Sequence, residues 1–158
     1  MGLDMYLHIE HSTFDSIYRN DKLTYGEPLD KFITYNDKAV TTKTQYEVAY
    51  WRKANAIHNF FDVHCCNGQL ENCTDVRVSV EQLETLVHYC KIVLADNTLA
   101  EELLPTQDGF FFGSIEYDNW YFTNLQNTID MCEPIINFMH SLSEDDQLNY
   151  KIIYSAWW

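Results

Sequence analysis

The stretch GLDMYLHIE, residues 2–10, decides the fold class, because its aliphatic residues fall at every second position. These aliphatic residues are Leu3, Met5, Leu7 and Ile9. A period of two is typical of a β-strand with one buried face. The same period returns from Tyr150 to Trp157. Strands at both ends with helical patterns between them predict a single α+β domain over residues 1–158, with a small mixed or antiparallel sheet that includes both terminal strands.

Three main helices are predicted to pack on that sheet. They are expected to run from about Thr44 to Val63, from Ser79 to about Ala95, and from Asp118 to about Met139. Ser79 and Gln82 have the spacing of a capping box, which marks the start of the second helix. Pro134 is expected to kink or divide the third helix, because proline removes a backbone donor and collides with the preceding turn.

The remaining segments carry weaker signals. Residues 11–44 are polar and indicate a loop or insertion, within which residues 31–35 could form a short strand. Val76 and Val78 suggest another short strand. Thr98 and Glu101 repeat the capping pattern before a short helix that Pro105 stops. Residues 109–116, GFFFGSIE, are expected to form a strand or hairpin flanked by glycines.

Charge excludes several classes of partner. The formal net charge is −14, and residues 92–158 hold only Lys151 against eleven acids. Such a field repels DNA, RNA and anionic membranes up to the Debye length of about 8 Å. We therefore expect neither direct nucleic-acid binding nor membrane binding.

The sequence has no secretion signal, since no basic segment precedes an apolar run, and no stretch reaches the roughly 20 apolar residues of a membrane span. We expect a cytoplasmic protein. Its five cysteines are an odd number and are expected to be reduced. Cys65 and Cys66 are adjacent and lack the C-x2-C spacing of zinc ligands, so no metal and no cofactor are expected.

A helix over AYWRKANAIHNFF, residues 49–61, would sort its residues into two faces. The apolar stripe comprises Tyr46, Tyr50, Ala54, Ile57 and Phe61. The other face carries Trp51, Asn55, His58 and Asp62, with Arg52 and Asn59 beside it. Arg52 and Lys53 project to opposite flanks of the apolar stripe. An indole, an amide and an imidazole in one row can stack on a ligand and bond to it. Arg52, nearer that face than Lys53, is the preferred phosphate-binding residue. The alternative is that these polar groups only satisfy backbone groups inside the fold.

A second candidate segment is LLPTQDGFFFGSIEYDNWYF, residues 103–122. It places short hydrogen-bonding side chains beside glycines, namely Thr106, Gln107, Gly113 and Ser114. In a strand, Phe110 and Phe112 would share one side, which leaves Phe111 available for stacking, with Tyr117 close by. The alternative is an aromatic core strand with a polar turn. The glycines lack the spacing of a phosphate-binding loop.

Patterns of catalytic residues fit poorly. His58 and Asp62 stand one helical turn apart, as a base and its orienting carboxylate could, but no serine or cysteine in a nucleophile-type setting accompanies them. A binding protein is therefore favoured over an enzyme, and no catalytic residue is assigned. A hydrolase that acts through His58 and Asp62 stays a second alternative.

The motifs GLDMYL, YWRKANAIH and LPTQDGFFFGSIEYD together resemble a family of small uncharacterised proteins of phages and prophages. The resemblance covers about thirty residues. It implies a viral origin, a small α+β fold and, by association, interference with host defence inside an infected bacterium. It brings no established catalytic residues.

Two functional hypotheses follow. In the first, the protein sequesters a small nucleotide-derived immune signal of the cyclic-nucleotide or ADP-ribose type, with a homo-oligomer completing the site. In the second, it is an acidic inhibitor that resembles anti-CRISPR proteins. It covers a basic surface of a host defence protein, and its carboxylates stand in for phosphates. The first gives the Trp51 segment a role, whereas the second explains the uneven charge directly.

Overall fold

The computed structural model describes residues 2–15 and 40–158. Its strands are β1 (Asp4–Asp15), β2 (Val40–Arg52), β3 (Val76–Val78) and β4 (Tyr150–Trp157). Its helices are α1 (Asn55–Cys66), α2 (Val80–Ala95), α3 (Ala100–Leu103), α4 (Asn119–Ser141) and α5 (Glu144–Gln147). The predicted α+β class is confirmed.

The described strands form one antiparallel sheet in the order β2, β1, β4, β3. The first and last strands are therefore neighbours, and Leu7 of β1 lies opposite Tyr154 of β4 on one side and Ala49 of β2 on the other. The prediction that both terminal strands share a sheet is confirmed.

The core lies on one face of this sheet. Leu3, Met5 and Leu7 are fully buried, and each such side chain contributes about 1.5–3 kcal/mol to folding. From α1, the ring of Phe61 stacks on Tyr154 with centroids 4.1 Å apart. The alternation along residues 3–9 thus predicted the buried face correctly.

The helix predicted from Thr44 to Val63 is wrong in its first half. Residues up to Arg52 belong to β2, and α1 begins only at Asn55. The spacing of four between Tyr46 and Tyr50 suits a strand as well as a helix, because four is a multiple of the strand period. The β-branched and aromatic residues of VTTKTQYEVAYW favour the strand.

The loop predicted over residues 11–44 is also wrong at both of its ends. Residues 11–15 extend β1 and residues 40–44 extend β2, so these polar stretches pair with each other. A β-bulge follows, in which Val48 is the extra residue of β2 between the pairs Leu7–Ala49 and His8–Glu47. The short strand considered at residues 31–35 lies outside the described residues.

The capping predictions have mixed outcomes. The Ser79 capping box is present, with the Ser79 backbone N–H donating to Gln82 Oε1 over 2.8 Å. The cap predicted at Thr98 is wrong, because Asp96 is the capping residue and accepts from the Thr98 backbone N–H over 3.1 Å. Asp96 is the better acceptor, since its carboxylate is charged and one of its oxygens also accepts from the Thr98 hydroxyl.

Helix α4 begins as predicted, because Asp118 Oδ1 accepts from the backbone N–H groups of Trp120 and Tyr121. Pro134 does not divide it, since the helix runs unbroken to Ser141. Cys132 and Ile135 on either side of the proline are buried in the core, and their packing outweighs the one backbone bond that proline removes. No helix in residues 2–15 and 40–158 is both long and apolar enough to cross a membrane.

Candidate functional site

The three sequence motifs meet at one end of the sheet. The Leu3 backbone N–H donates to the carbonyl of Phe111 over 3.1 Å, and the Lys53 backbone N–H donates to the carbonyl of Leu3 over 2.7 Å. Residues far apart in sequence are thus joined through the start of β1. The segment from Pro105 to Asp118, called here the pinned loop, depends on these contacts for its position.

Asn55, the first residue of α1, holds the pinned loop. Its side chain is 3 % exposed. Its Nδ2 donates to the carbonyls of Ser114 at 2.7 Å and Phe112 at 3.2 Å, and its Oδ1 accepts from the Gln107 backbone N–H at 3.3 Å. One amide therefore supplies partners to three backbone groups in a segment without a helix or strand. Buried backbone groups need such partners.

Gly113 lies against the turn between β2 and α1. Its φ is +92°, and a Cβ placed on it would lie 3.1 Å from Lys53 Cβ. Lys53 itself has a φ of +55°, which is uncommon for a residue with a side chain. Glycine at position 113 therefore permits the close approach of the Lys53 segment.

Further bonds fix the start of the pinned loop. Asn59 Nδ2 donates to the carbonyl of Pro105 over 3.0 Å, and the Tyr121 hydroxyl donates to the carbonyl of Leu104 over 2.9 Å. Within the loop, the Thr106 hydroxyl donates to the carbonyl of Ile115 over 3.0 Å. The short polar groups predicted to contact a ligand therefore bond mainly to the loop's own backbone.

The strand or hairpin predicted over residues 109–116 is wrong, because this segment is a turn. The Phe112 backbone N–H donates to the carbonyl of Gly109. Phe112 is consequently buried, Phe111 is partly buried and Phe110 is 95 % exposed. Phe110 is therefore the available ring, in place of Phe111.

Trp51 belongs to the core. Its side chain is 3 % exposed and its Nε1 donates to Thr128 Oγ1 of α4 over 2.9 Å. The bond satisfies the one polar atom of the indole, as burial of a tryptophan requires. Trp51 therefore ties β2 to α4 and presents no stacking surface to solvent.

His58 is also interior. Its Nδ1 is hydrogen-bonded to the Tyr154 hydroxyl at 2.7 Å, and the rings of Phe112 and Trp158 pack edge-on against it. Burial lowers the pKa of His58 to about 4, although the nearby Asp62 acts in the opposite direction. The imidazole is neutral at pH 7. Asp62 Oδ1 accepts from the Leu70 backbone N–H over 2.8 Å, so the two residues are engaged with different partners.

The space beside Asn55 is small. A cavity of about 20 Å³ lies between Asn55, Ser114 and Tyr121, which is room for one water molecule. Nucleotide-sized ligands need pockets of about 300–1,000 Å³. Trp51, Asn55 and His58 consequently support the fold, and Asn55 also holds the pinned loop.

Arg52 has a different setting, at the surface. Its side chain is 58 % exposed, and its Nε lies 3.9 Å from Asp4 Oδ1. Asp4 Oδ1 also accepts from the Tyr50 hydroxyl at 2.6 Å. Arg52 and Tyr50 line an open groove of about 350 Å³ together with Trp120 and Asn127. Trp120, which is 55 % exposed, was not singled out from the sequence.

The outer surface of the pinned loop is apolar and acidic. Beside Phe110 it exposes Ile115 and Tyr117, and the ring of Tyr117 packs edge-on against Tyr121. Asp108 and Glu116 are exposed on the same segment. The sequence signal for this exposed turn was the pair of glycines, Gly109 and Gly113, on either side of the phenylalanines. Glycines in these positions predict a turn as readily as a strand.

Metal and thiol chemistry find little support. Within the described ranges, no three His, Cys, Asp or Glu side chains are grouped so that they could hold a metal ion. Cys90 and Cys132 are buried and free, and burial raises the pKa of both thiols. They are therefore protonated and unreactive.

Comparison of the chain with protein-family models, with curated proteins and with solved structures finds no match.

Proposed function

We propose that this chain is a binding protein that inhibits another protein, and that the pinned loop docks on its partner. The observation that carries the proposal is Phe110, a phenylalanine that is 95 % exposed at the tip of a loop fixed from within by Asn55. Its ring touches that of Phe111 edge-on, with centroids 4.8 Å apart, and most of its surface stays free. A large apolar side chain that is so exposed suits the role of an anchor.

The internal bonds of the loop support this role. Ordering a flexible segment on binding costs about 0.5–1.5 kcal/mol for each immobilised side chain. Asn55, Asn59 and Tyr121 fix the loop backbone in the free protein. The loop therefore loses less conformational entropy on binding, and Phe110 can insert into a pocket of the partner at a low entropic cost.

Charge supports a partner with a basic surface. Asp108 and Glu116 lie on the exposed loop, and the molecule carries a formal charge of −14. Opposite potentials on two proteins speed their encounter and disfavour acidic partners. The resemblance of the three motifs to phage proteins favours a nucleic-acid-binding protein of bacterial defence as the target.

The proposal is tested by phage plating on bacteria that express such a defence system together with this chain. The native chain should restore plating. Phe110→Ala should abolish the effect, and Asp108→Lys with Glu116→Lys should weaken it. Leu148→Ala, which removes an apolar side chain that is 81 % exposed outside the pinned loop, is the matched control and should act like the native chain. Full activity of the Phe110→Ala chain would overturn the proposal.

A second candidate is capture of a small nucleotide-derived signal. The groove of about 350 Å³ favours it, because it joins the exposed guanidinium of Arg52 to the rings of Trp120 and Tyr50. A stacked base contributes about 1–3 kcal/mol, and a charged hydrogen bond contributes about 1.5–3 kcal/mol. Calorimetry with cyclic dinucleotides and ADP-ribose should give heat with the native chain and none with Arg52→Ala. Lys151→Ala is the control.

A further inference from the structure

Strand β2 is an edge of the sheet that the described residues form. It is thirteen residues long, and β1 is its neighbour on one side. None of the other described strands pairs with its second side. The outward backbone N–H and C=O groups of such an edge can pair with another strand.

The sequence of this edge is complementary to itself. Lys43 and Glu47 lie at equal distances on either side of Gln45, and all three are exposed. If two copies pair antiparallel about a two-fold axis at Gln45, Lys43 lies directly opposite Glu47 of the partner subunit, and the contact occurs twice. We propose that two copies of this chain associate edge to edge along β2 in this register.

Charge favours a second copy at this place. Two molecules of formal charge −14 repel each other, so a contact between them requires a locally balanced surface. The segment from Lys43 to Val48 carries one positive and one negative side chain. Within each copy, Lys43 Nζ lies 3.3 Å from Glu10, which also has Lys151 Nζ at 3.7 Å. Glu10 therefore keeps a partner when Lys43 turns toward the second copy.

An apolar groove beside the edge extends the contact. It has a volume of about 390 Å³ and lies between β2 and α4, where Val48, Met131 and Phe138 line it. Tyr46 is 56 % exposed and lies opposite Ile9, which lines the same groove. A second copy on β2 would cover Tyr46 and Phe138. The bulge at Val48 limits regular pairing to the residues before it, and the pairs between Lys43 and Glu47 about Gln45 lie within that limit.

Sedimentation velocity of the full chain tests the register by charge reversal. The native chain should be a dimer. Lys43→Glu and Glu47→Lys should each weaken dimerisation about tenfold or more, because two attractive pairs become two repulsive pairs. The double variant should regain the native dissociation constant, since the pairs are restored with opposite sign.

Lys91→Glu is the matched control, because it places a like charge beside Glu133 of α4, away from the β2 edge, and should leave the dimer intact. Thermal unfolding of every variant shows whether it is folded. A monomeric native chain would overturn the proposal. So would a double variant as weak as the single variants, because it would exclude the register about Gln45.

Discussion

Asn55 and Phe110 belong to the two candidate segments of the sequence, and their burial is the opposite of what their polarity predicts. The polar Asn55 is 3 % exposed and the apolar Phe110 is 95 % exposed. The Asn55 amide bonds to backbone groups in the protein interior, whereas the Phe110 ring faces solvent. A buried polar residue in this protein therefore fixes the exposed surface of the pinned loop.

Asn55→Ala is the substitution with the largest expected effect on stability, and it tests whether Asn55 fixes the pinned loop. It leaves the carbonyls of Phe112 and Ser114 and the backbone N–H of Gln107 without a partner, and each unpaired buried group costs about 1–3 kcal/mol. We expect the free energy of unfolding to fall by about 3–5 kcal/mol, with faster hydrogen exchange in the pinned loop. Urea denaturation measures the loss. Asn127→Ala at an exposed position of α4 is the control, and an equal loss in both variants would contradict this role of Asn55.

Acid should destabilise the protein through His58. Its pKa is about 4 in the folded chain and about 6.5 in the unfolded chain. Above pH 6.5 neither state carries the proton, so the full stability is present. As the pH falls from 6.5 toward 4, only the unfolded state gains the proton, and stability falls by about 3 kcal/mol in total.

Urea titrations across this pH range check the prediction. His58→Gln should show a shallower fall than the native chain, whereas His88→Gln, at an exposed position, should follow the native curve. A native curve as shallow as that of His58→Gln would show that His58 does not stay neutral in the folded protein.

A smaller effect is expected at the contact between the pinned loop and Lys53. Gly113→Ala should cost about 1–2 kcal/mol, because the φ of +92° suits glycine and the new Cβ meets Lys53 Cβ at 3.1 Å. Gly68→Ala is the matched control, since Gly68 has a φ of +73° with nothing within 4 Å. The difference in thermal unfolding between the two variants gives the cost of the contact between the new Cβ at position 113 and Lys53. Equal losses would mean that the close approach contributes nothing.

The smallest effect on stability is expected for Phe110→Ala. A side chain that is 95 % exposed packs on little, so the free energy of unfolding should change by no more than about 0.5 kcal/mol. Calorimetric unfolding measures it. A larger loss would mean that Phe110 supports the fold, and the contrast with Asn55 would disappear.

The sequence predicted those elements that repeat a single unambiguous period. Alternation gave β1 and β4, and the Ser79 capping box and the Asp118 cap marked the starts of α2 and α4. The first half of the Thr44–Val63 segment was wrongly predicted as helix, because a spacing of four residues fits both the strand period and the helix period. Local patterns favour an element, but the pairing of β2 with β1 involves residues between 25 and 48 positions away.

The candidate site was predicted in its membership more than in its geometry. Asn55 bonds to backbone groups of Gln107 and Ser114, and Gly113 lies against Lys53. Which of their groups face inward depends on three-dimensional packing, and sequence carries little of that information for a segment without regular structure. The exposure of Phe110 could not be read from GFFFG, since any one of the three rings could have been left outside.

The position of β1 between β2 and β4 has a consequence for how the chain reaches its native state. Leu7 pairs with Tyr154, a residue at the other end of the sequence. Loop closure over so long a separation is slow, and contacts of this kind lower folding rates. During synthesis the apolar face of β1 emerges before β4, its neighbour in the sheet. Loss of Tyr150–Trp157 should therefore prevent folding and leave the apolar face of β1 exposed to aggregation.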